Sequence, residues 1–104
     1  MIIQLNAGKN LNVHETFAAK LNSLLSGELN RFSEHITRIE VHLSDEDGSK
    51  KGTEDKRCLL EARLAGRQPI AVTGFADNYE LAVNNAVEKL KNSLNTIVGR
   101  SRRH

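Results

Sequence analysis

Two segments near the middle of the chain alternate between apolar and polar residues, and this pattern constrains the fold more than any other feature. The segments are Thr37–Ser44 and Arg57–Ala65. Successive side chains of a β-strand point to opposite faces, so each segment predicts a strand with one buried face. Residues 45–56 between them contain no large apolar residue and are predicted to form an exposed loop. The side chains predicted to face inward are Ile39, Val41, Leu43, Cys58, Leu60, Ala62 and Leu64.

Two further strands and a helix are predicted around this pair. Ile2–Asn6 and Ile70–Phe75 are short and rich in β-branched residues, and a turn at 66–69 precedes the second of them. A helix is predicted to begin near Asn12, and Glu28 falls on its apolar side, so we expect the helix to bend, fray or end there. The buried side of this helix would be formed by Phe17, Leu21, Leu24 and Leu25. Two apolar residues beyond it are predicted to pack as a separate turn: Leu29 and Phe32.

The longest helical pattern lies near the C-terminus. Asp77 can cap its first turn, and Glu80 three residues later would complete a capping box. Gly99 predicts the end of the helix, because glycine readily adopts the left-handed conformation of a C-cap. Apolar residues recur between these limits at helical spacing, which predicts one buried stripe. The stripe consists of Val83, Ala86, Val87, Leu90, Leu94 and Ile97.

The order of these elements predicts an α+β fold, β-α-β-β-β-α. The last three strands can form an antiparallel meander, and the first strand, followed by a crossover helix, can lie parallel to the second. Each helix has one apolar face, so both are expected to cover the same face of one four-stranded sheet. We expect a single domain over residues 1–99 and a short basic tail over residues 100–104. The uncovered face of the sheet would carry Arg38, Glu40, His42, Glu61, Arg63 and Thr73.

Composition and charge narrow the classes of function. The 104 residues are 38% apolar and 27% charged, which is typical of a single folded domain. No apolar run approaches the ~20 residues that cross a membrane, and the N-terminus lacks the pattern of a secretory signal, so we expect a cytoplasmic protein with no membrane partner. Residues 57–104 hold eight basic and four acidic residues, whereas residues 1–56 hold seven and nine. A basic half favours a polyanionic partner.

The residues offer no argument for catalysis or for binding a metal or cofactor. The four histidines are His14, His35, His42 and His104, and none has the spacing to share a metal with Cys58. Cys58 lies on the inward face of a predicted strand, where a small buried apolar residue is a simpler interpretation than a catalytic thiol. We therefore expect no enzyme activity, no cofactor and no small-molecule substrate. The hypothesis of an enzyme that uses Cys58 or His42 therefore ranks well below the binding and interaction functions considered next.

Basic and amide residues near the C-terminus form a candidate RNA-binding surface. Lys89 and Lys91 flank the apolar stripe of the last helix, so their ammonium groups can reach solvent on either side of it. Lysine and arginine neutralise phosphates, and asparagine can bond to phosphate or ribose oxygens. On the residues alone, RNA binding and an ordinary polar helix surface explain this pattern about equally well. The other members of the pattern are Asn84, Asn85, Asn92, Asn95, Arg100, Arg102 and Arg103.

Four local patterns, in order along the chain, are similar to those of one known family. Ile3-Gln4-Leu5-Asn6 with Gly8-Lys9-Asn10-Leu11 resembles the first strand and turn of that family. Thr37–Ser44 resembles its second strand, residues 55–70 resemble a short-form branch, and Asp77–Leu90 resembles its last helix. The family is that of the ribosome hibernation-promoting factors and ribosome-associated inhibitors, also called sigma-factor modulation proteins.

The resemblance implies a fold similar to a double-stranded-RNA-binding domain with an additional strand. It also implies that the chain binds the small ribosomal subunit and its rRNA in the channel used by messenger and transfer RNA. Such binding blocks translation during starvation and stores ribosomes in an inactive form. Long members of the family add a C-terminal dimerisation domain, and this chain resembles the short type, so no dedicated dimerisation domain is expected.

The residues predicted to bind RNA carry charge from both helices and from the tail. Lys9 and Lys89 match basic positions of the family, but its first helix is usually rich in Lys and Arg on the exposed side. Here Ala18, Ser23, Leu24 and Gly27 stand at such places. This motivates an alternative: a protein-interaction or regulatory module with the same fold and little RNA binding. A continuous positive face would favour ribosome binding, and scattered, neutralised charges the alternative. The predicted RNA-binding residues are Lys89, Lys91, Arg100, Arg102 and Arg103, with Lys9 and Lys20 as weaker candidates.

Overall fold

The computed structural model describes residues 1–7, 15–45 and 56–101, with side chains as far as residue 99. A short 3₁₀ turn at Asn30–Phe32 follows the first helix. The predicted helix start near Asn12 and residues 46–55 of the predicted loop lie outside the described residues. The first and last residues of that predicted loop, Asp45 and Lys56, are instead paired with each other at the ends of two strands. In chain order, the strands and helices are β1 (Ile2–Ala7), α1 (Glu15–Glu28), β2 (Ile36–Asp45), β3 (Lys56–Leu64), β4 (Ile70–Ala76) and α2 (Tyr79–Ser101).

The four strands form one sheet in the order β1-β2-β3-β4. β1 pairs with β2 in parallel, with Leu5 opposite Val41. β2 pairs with β3 and β3 with β4 in the antiparallel sense, so Val41 lies opposite Leu60 and Leu60 lies opposite Val72. The predicted meander, the parallel first strand and the β-α-β-β-β-α order are all confirmed. Among the described residues, no helix carries an apolar stretch long enough to cross a membrane.

Both helices pack on the same face of the sheet, as predicted, and the core lies between the two layers. The inward side chains of β3 and β4 meet the buried stripe of α2, in which Leu90 and Leu94 are completely buried. α2 approaches β4 so closely that a β-carbon on Gly74 would lie 2.5 Å from the backbone nitrogen of Ala86. Glycine at this position therefore allows the helix to rest directly on the strand. The largest buried side chains are Phe32, Leu25, Leu29, Ile39, Leu43, Leu60, Leu90 and Leu94.

The end of α1 agrees with the expectation drawn from Glu28. The helix ends at Glu28, whose side chain is exposed. The amide of Leu29 still donates to the carbonyl of Leu25 at 3.0 Å, and the chain then forms the 3₁₀ turn. Leu29 and Phe32 are both buried in the common core, so they do pack as a separate turn. The change of helix type keeps the charged side chain in water while the apolar residues on either side of it reach the core.

β2 contains an irregularity that simple alternation did not predict. Its pairing with β3 shifts between Ile36 and Arg38, which is the signature of a β-bulge. Because of this shift, Ile36 and Ile39 are both buried although they are three residues apart. The hydroxyl of Thr37 donates to the carbonyl of Arg63 at 3.0 Å and holds the irregular segment against β3.

Both predicted caps of α2 are wrong. The side-chain oxygen of Asn78 accepts a hydrogen bond from the amide of Leu81 at 2.9 Å, so Asn78 is the N-cap instead of Asp77. Asn78 is the residue directly before the first helical residue, and its side chain therefore reaches the third amide of the helix. At the other end, α2 continues through Gly99 to Ser101. The glycine with positive φ in the described chain is Gly66, in the turn before β4, so Gly99 does not adopt the C-cap conformation.

Candidate nucleic-acid interface

A row of polar contacts joins the two helices where they lie side by side. Lys20 pairs with Glu80 at 2.7 Å, near the start of both helices. Glu28, at the end of α1, pairs with Lys91 at 3.0 Å. The guanidinium of Arg31, in the 3₁₀ turn, donates to the side-chain oxygen of Asn95. Contacts in the same order along both helices mean that α1 and α2 run in the same direction. We call this row the helix seam, and its residues are Lys20, Glu28, Arg31, Glu80, Lys91 and Asn95.

Lys91 is the less exposed of the two lysines in the helix seam. Its ammonium group donates a hydrogen bond to the carboxylate of Glu28 and lies beside its negative charge, and both effects raise the pKa of Lys91 above its ordinary value. The lysine is therefore fully charged at neutral pH. A phosphate that binds Lys91 must compete with the carboxylate that already holds it.

Lys89 lies on the opposite side of α2, against the edge of the sheet. Its ammonium group donates to the carbonyl of Thr73 at 2.7 Å. One turn earlier, the amide of Asn85 donates to the carbonyl of Phe75 at 2.9 Å. These two side chains occupy carbonyls on the outer edge of β4, which would otherwise be open to another strand. Lys89 and Lys91 thus lie on either side of the apolar stripe, as predicted, but they do not form one site.

The structure brings only part of the predicted set together. Lys20 and Lys91 belong to the helix seam, and Lys89 is separated from it by the body of α2. The backbone of Arg100 belongs to the last turn of α2, so this residue extends the helix instead of beginning a tail. Three predicted residues, Lys9, Arg102 and Arg103, lie outside the described residues.

Arg31 is a member of the helix seam that the sequence interpretation did not select. Its guanidinium carbon lies 4.6 Å from the centre of the Phe32 ring, in addition to its bond with Asn95. The 3₁₀ turn directs this side chain toward α2, and helical spacing in α1 could not indicate that direction. One signal was present: Asn95 follows Lys91 by four residues and therefore shares its side of α2.

The uncovered face of the sheet carries the polar residues predicted for it. Glu40 lies at the centre of this face, and its carboxylate is 3.4 Å from Arg63, 3.7 Å from Arg38 and 3.5 Å from His42. Arg63 also lies 3.3 Å from Glu61. The positive charges of this face are therefore interleaved with negative charges. Across the described part of the chain, the cations do not form one continuous positive face.

Cys58 is a buried core residue, and the described histidines lie on or near the sheet. Cys58 is completely buried, and this burial raises its pKa to about 12, so its thiol stays protonated at neutral pH. Its prediction as a buried structural residue is confirmed. His42 lies beside Glu40 on the sheet face, and His35 is half-buried near the start of β2. No cluster of three or more potential metal ligands occurs among the described residues.

A known family accounts for this fold and for most of the chain. The family model described as Sigma 54 modulation protein / S30EA ribosomal protein matches residues 6–102. The chain belongs to this family. Its members are ribosome-associated hibernation and interface factors, so translation regulation and the stress response are the processes in which the family acts. The family indicated by the resemblance in the sequence is therefore confirmed.

Two solved structures have the same architecture. The N-terminal domain of Protein Y from Thermus thermophilus matches with a TM-score of 0.73 and 21% identity, over 93% of this chain and 99% of that chain. A ribosomal subunit interface protein from Coxiella burnetii matches with a TM-score of 0.72 and 18% identity, over 95% of this chain and 99% of that chain. At these identities the similarity shows the fold. No curated protein sequence matches the chain.

The four positions of α1 at which the resemblance led us to expect cations carry none, and burial explains part of this. Ala18 and Leu24 are half-buried, and Leu24 packs against the core. Ser23 and Gly27 are exposed but uncharged. Lys20 and Arg31 are therefore the two cations that residues 15–32 contribute to the helix seam.

Proposed function

We propose that this protein is a cytoplasmic, non-enzymatic factor that binds the small ribosomal subunit and inhibits translation under stress. Its membership of the ribosome-associated family over residues 6–102 carries the proposal. The two-layer fold, similar to that of a ribosomal subunit interface protein, supports it. The protein would act by occupying the channel that messenger and transfer RNA need, so no catalytic group is required.

The C-terminal end of α2 is the region that we expect to contact rRNA most strongly. The helix seam runs from the Lys20–Glu80 pair to the Arg31–Asn95 contact, and α2 then continues toward Arg100. The five residues from Asn95 to Arg100 advance the helix by only ~8 Å. Arg31, Lys91 and Arg100 therefore lie near the end of the helix where Arg102 and Arg103 follow. Positive charge there also interacts favourably with the negative end of the helix dipole.

Phosphate contacts from these cations would provide most of the affinity, and the shape of the rRNA would provide the specificity. Lys20 lies at the other end of the helix seam, and we expect a smaller contribution from it. Lys89 contributes only if it leaves the Thr73 carbonyl, and Lys9 is proposed as a contact on the family resemblance alone. For the described lysines, these expected contributions to RNA binding follow from the partners that each side chain already has.

Salt dependence of ribosome binding tests the proposal. The protein is sedimented with purified small subunits across a salt series, and a triple variant carries Arg100→Gln, Arg102→Gln and Arg103→Gln. Each lost phosphate contact lowers the slope of log affinity against log salt by ~1, so we expect a slope lower by up to ~3 and weaker binding. Circular dichroism checks that the fold is unchanged.

A matched variant controls for net charge alone. It replaces three arginines of the uncovered sheet face, Arg38, Arg57 and Arg63, with Gln and so removes the same charge from the opposite side of the sheet. We expect it to keep most of the slope. If both triple variants bind alike, the proposed contact region is wrong. If the parent protein fails to sediment with small subunits even at low salt, the proposed function is wrong.

One observation favours a second candidate, a protein-interaction or regulatory module with little RNA binding. Within the described ranges, Lys20, Lys91 and Arg63 are paired with carboxylates, and the positive charges are scattered. Such neutralisation lowers the attraction for a polyanion. Absence of small-subunit binding at low salt would favour this candidate over the ribosome-binding one.

A further inference from the structure

The two lysines of the helix seam are already bound by carboxylates from the neighbouring helix. We propose that Glu28 and Glu80 mask Lys91 and Lys20, competing with RNA phosphates and so weakening binding to RNA in the free protein. The inference rests on the proposed function, since it concerns the same RNA-binding surface. It assigns the two glutamates a specificity role: only an RNA surface that makes several further contacts would displace them.

The exposure of the pairs makes this exchange feasible. The side chains of Lys20 and Glu80 are 60% and 46% exposed, and those of Lys91 and Glu28 are 28% and 42% exposed. A phosphate can therefore approach either lysine without unpacking the core. Exposed ion pairs of this kind change an equilibrium by about two- to fivefold at most. Each glutamate is thus strong enough to reduce RNA affinity measurably and weak enough to be displaced.

The third position of the helix seam differs from the other two. Arg31 is held by the neutral side chain of Asn95 and by the ring of Phe32, and both contacts leave its charge uncompensated. A phosphate that meets the helix seam would therefore bind first at Arg31. Lys91 lies one helical turn before Asn95, the partner of Arg31, and could then exchange Glu28 for an adjacent phosphate.

The test compares Glu28→Gln and Glu80→Gln with the parent protein. Binding is measured by fluorescence anisotropy with a 16-base-pair RNA duplex, and by sedimentation with isolated small subunits. Glutamine keeps the size of the side chain but removes its charge and replaces one acceptor oxygen with an NH2 donor. We expect each variant to bind RNA about two- to fivefold more tightly than the parent protein. We also expect a steeper salt dependence of binding, because a lysine that binds a phosphate then no longer leaves an unpaired carboxylate on the protein.

Glu88→Gln is the matched control. Glu88 is exposed on α2, three residues before Lys91, and its negative charge also raises the pKa of Lys91, but among the described residues it forms no ion pair that holds the lysine. Its removal changes the net charge equally without releasing a lysine, so we expect a smaller gain. A second control places Glu28→Gln in a Lys91→Gln background, where masking predicts that the gain disappears. General repulsion between Glu28 and RNA would persist there.

The outcomes separate this inference from the proposed function. Equal gains for the Glu28 and Glu88 variants, or a gain that survives Lys91→Gln, would overturn the masking. If the parent protein binds the duplex but not the small subunit, the proposed function fails. The affinities of the variants for the duplex then decide whether the glutamates mask the lysines. If no variant binds either RNA, the masking is wrong as well. Thermal unfolding shows whether a variant has lost its fold, which would weaken binding instead of strengthening it.

Discussion

The close approach of α2 to β4 predicts that Gly74→Ala destabilises the protein. The new β-carbon would lie 2.5 Å from the backbone nitrogen of Ala86 and closer still to the carbonyl oxygen of Ala82. Both are backbone atoms of a helix, so the contact is relieved only by moving α2 away from the sheet. Overpacking of this kind costs about 1–3 kcal/mol, and the lower flexibility of alanine in the unfolded chain offsets up to ~1 kcal/mol. We expect a net loss of about 1–2 kcal/mol.

Thermal and urea unfolding followed by circular dichroism measure this loss. For a domain of this size it corresponds to a melting temperature lower by about 4–16 °C. Gly27→Ala is the matched control, because a β-carbon on this exposed residue of α1 would meet nothing within 4 Å. Alanine favours the helix there, and we expect stabilisation by about 0.5–1 kcal/mol. An unchanged or higher midpoint for Gly74→Ala would refute the close packing of α2 on β4.

Two further predictions concern buried residues. Leu90→Ala leaves a cavity in the middle of the buried stripe, so urea titration should show a loss of about 2–5 kcal/mol; a midpoint equal to the parent's would contradict this packing. The Cys58 thiol should react slowly with thiol reagents, because burial raises its pKa from 9.0 to about 12. The folded state favours the protonated thiol. The contribution of Cys58 to the free energy of unfolding is therefore intact below pH 9 and is lost as the pH rises toward 12. Stability relative to Cys58→Ala should fall across that window, and rapid labelling at neutral pH would contradict the burial.

The parts of the fold that depend on side-chain periodicity were predictable from the sequence. The alternation in Thr37–Ser44 predicts a strand that the structure extends by one residue at each end. The apolar stripe of α2 predicts five of the six buried residues that the structure describes in this helix, missing Ala82 and including the half-buried Ile97, and Glu28 predicts where α1 ends. These predictions succeed because exposing an apolar side chain to water costs free energy wherever it occurs. The spacing of apolar residues along a helix or strand therefore indicates which face packs against the core.

The features that depend on one backbone conformation were not predictable in the same way. The bulge at Thr37 adds a residue to the strand, and no alternating pattern contains that information. Asp77 and Asn78 are both good N-cap residues, and their order in the sequence does not show which one the helix selects. Gly99 lies inside α2 although glycine is a poor helix former, because packing of the preceding turns holds the helix.

The helix seam shows why a count of charges did not locate the candidate site. Its three contacts join residues 60, 63 and 64 positions apart, so no local pattern reveals them. The near-constant separation is itself a consequence of the fold, because two parallel helices advance by the same rise per residue and keep partners in register. The excess of basic residues in the second half of the chain therefore overstates the positive charge that α2 presents, since Glu28 from the acidic half holds Lys91. If this protein binds a polyanion as proposed, we expect its affinity to depend on which cations keep a carboxylate partner. We therefore expect Arg31, which forms no ion pair among the described residues, and the arginines that follow Gly99 to contribute more than either lysine of the helix seam.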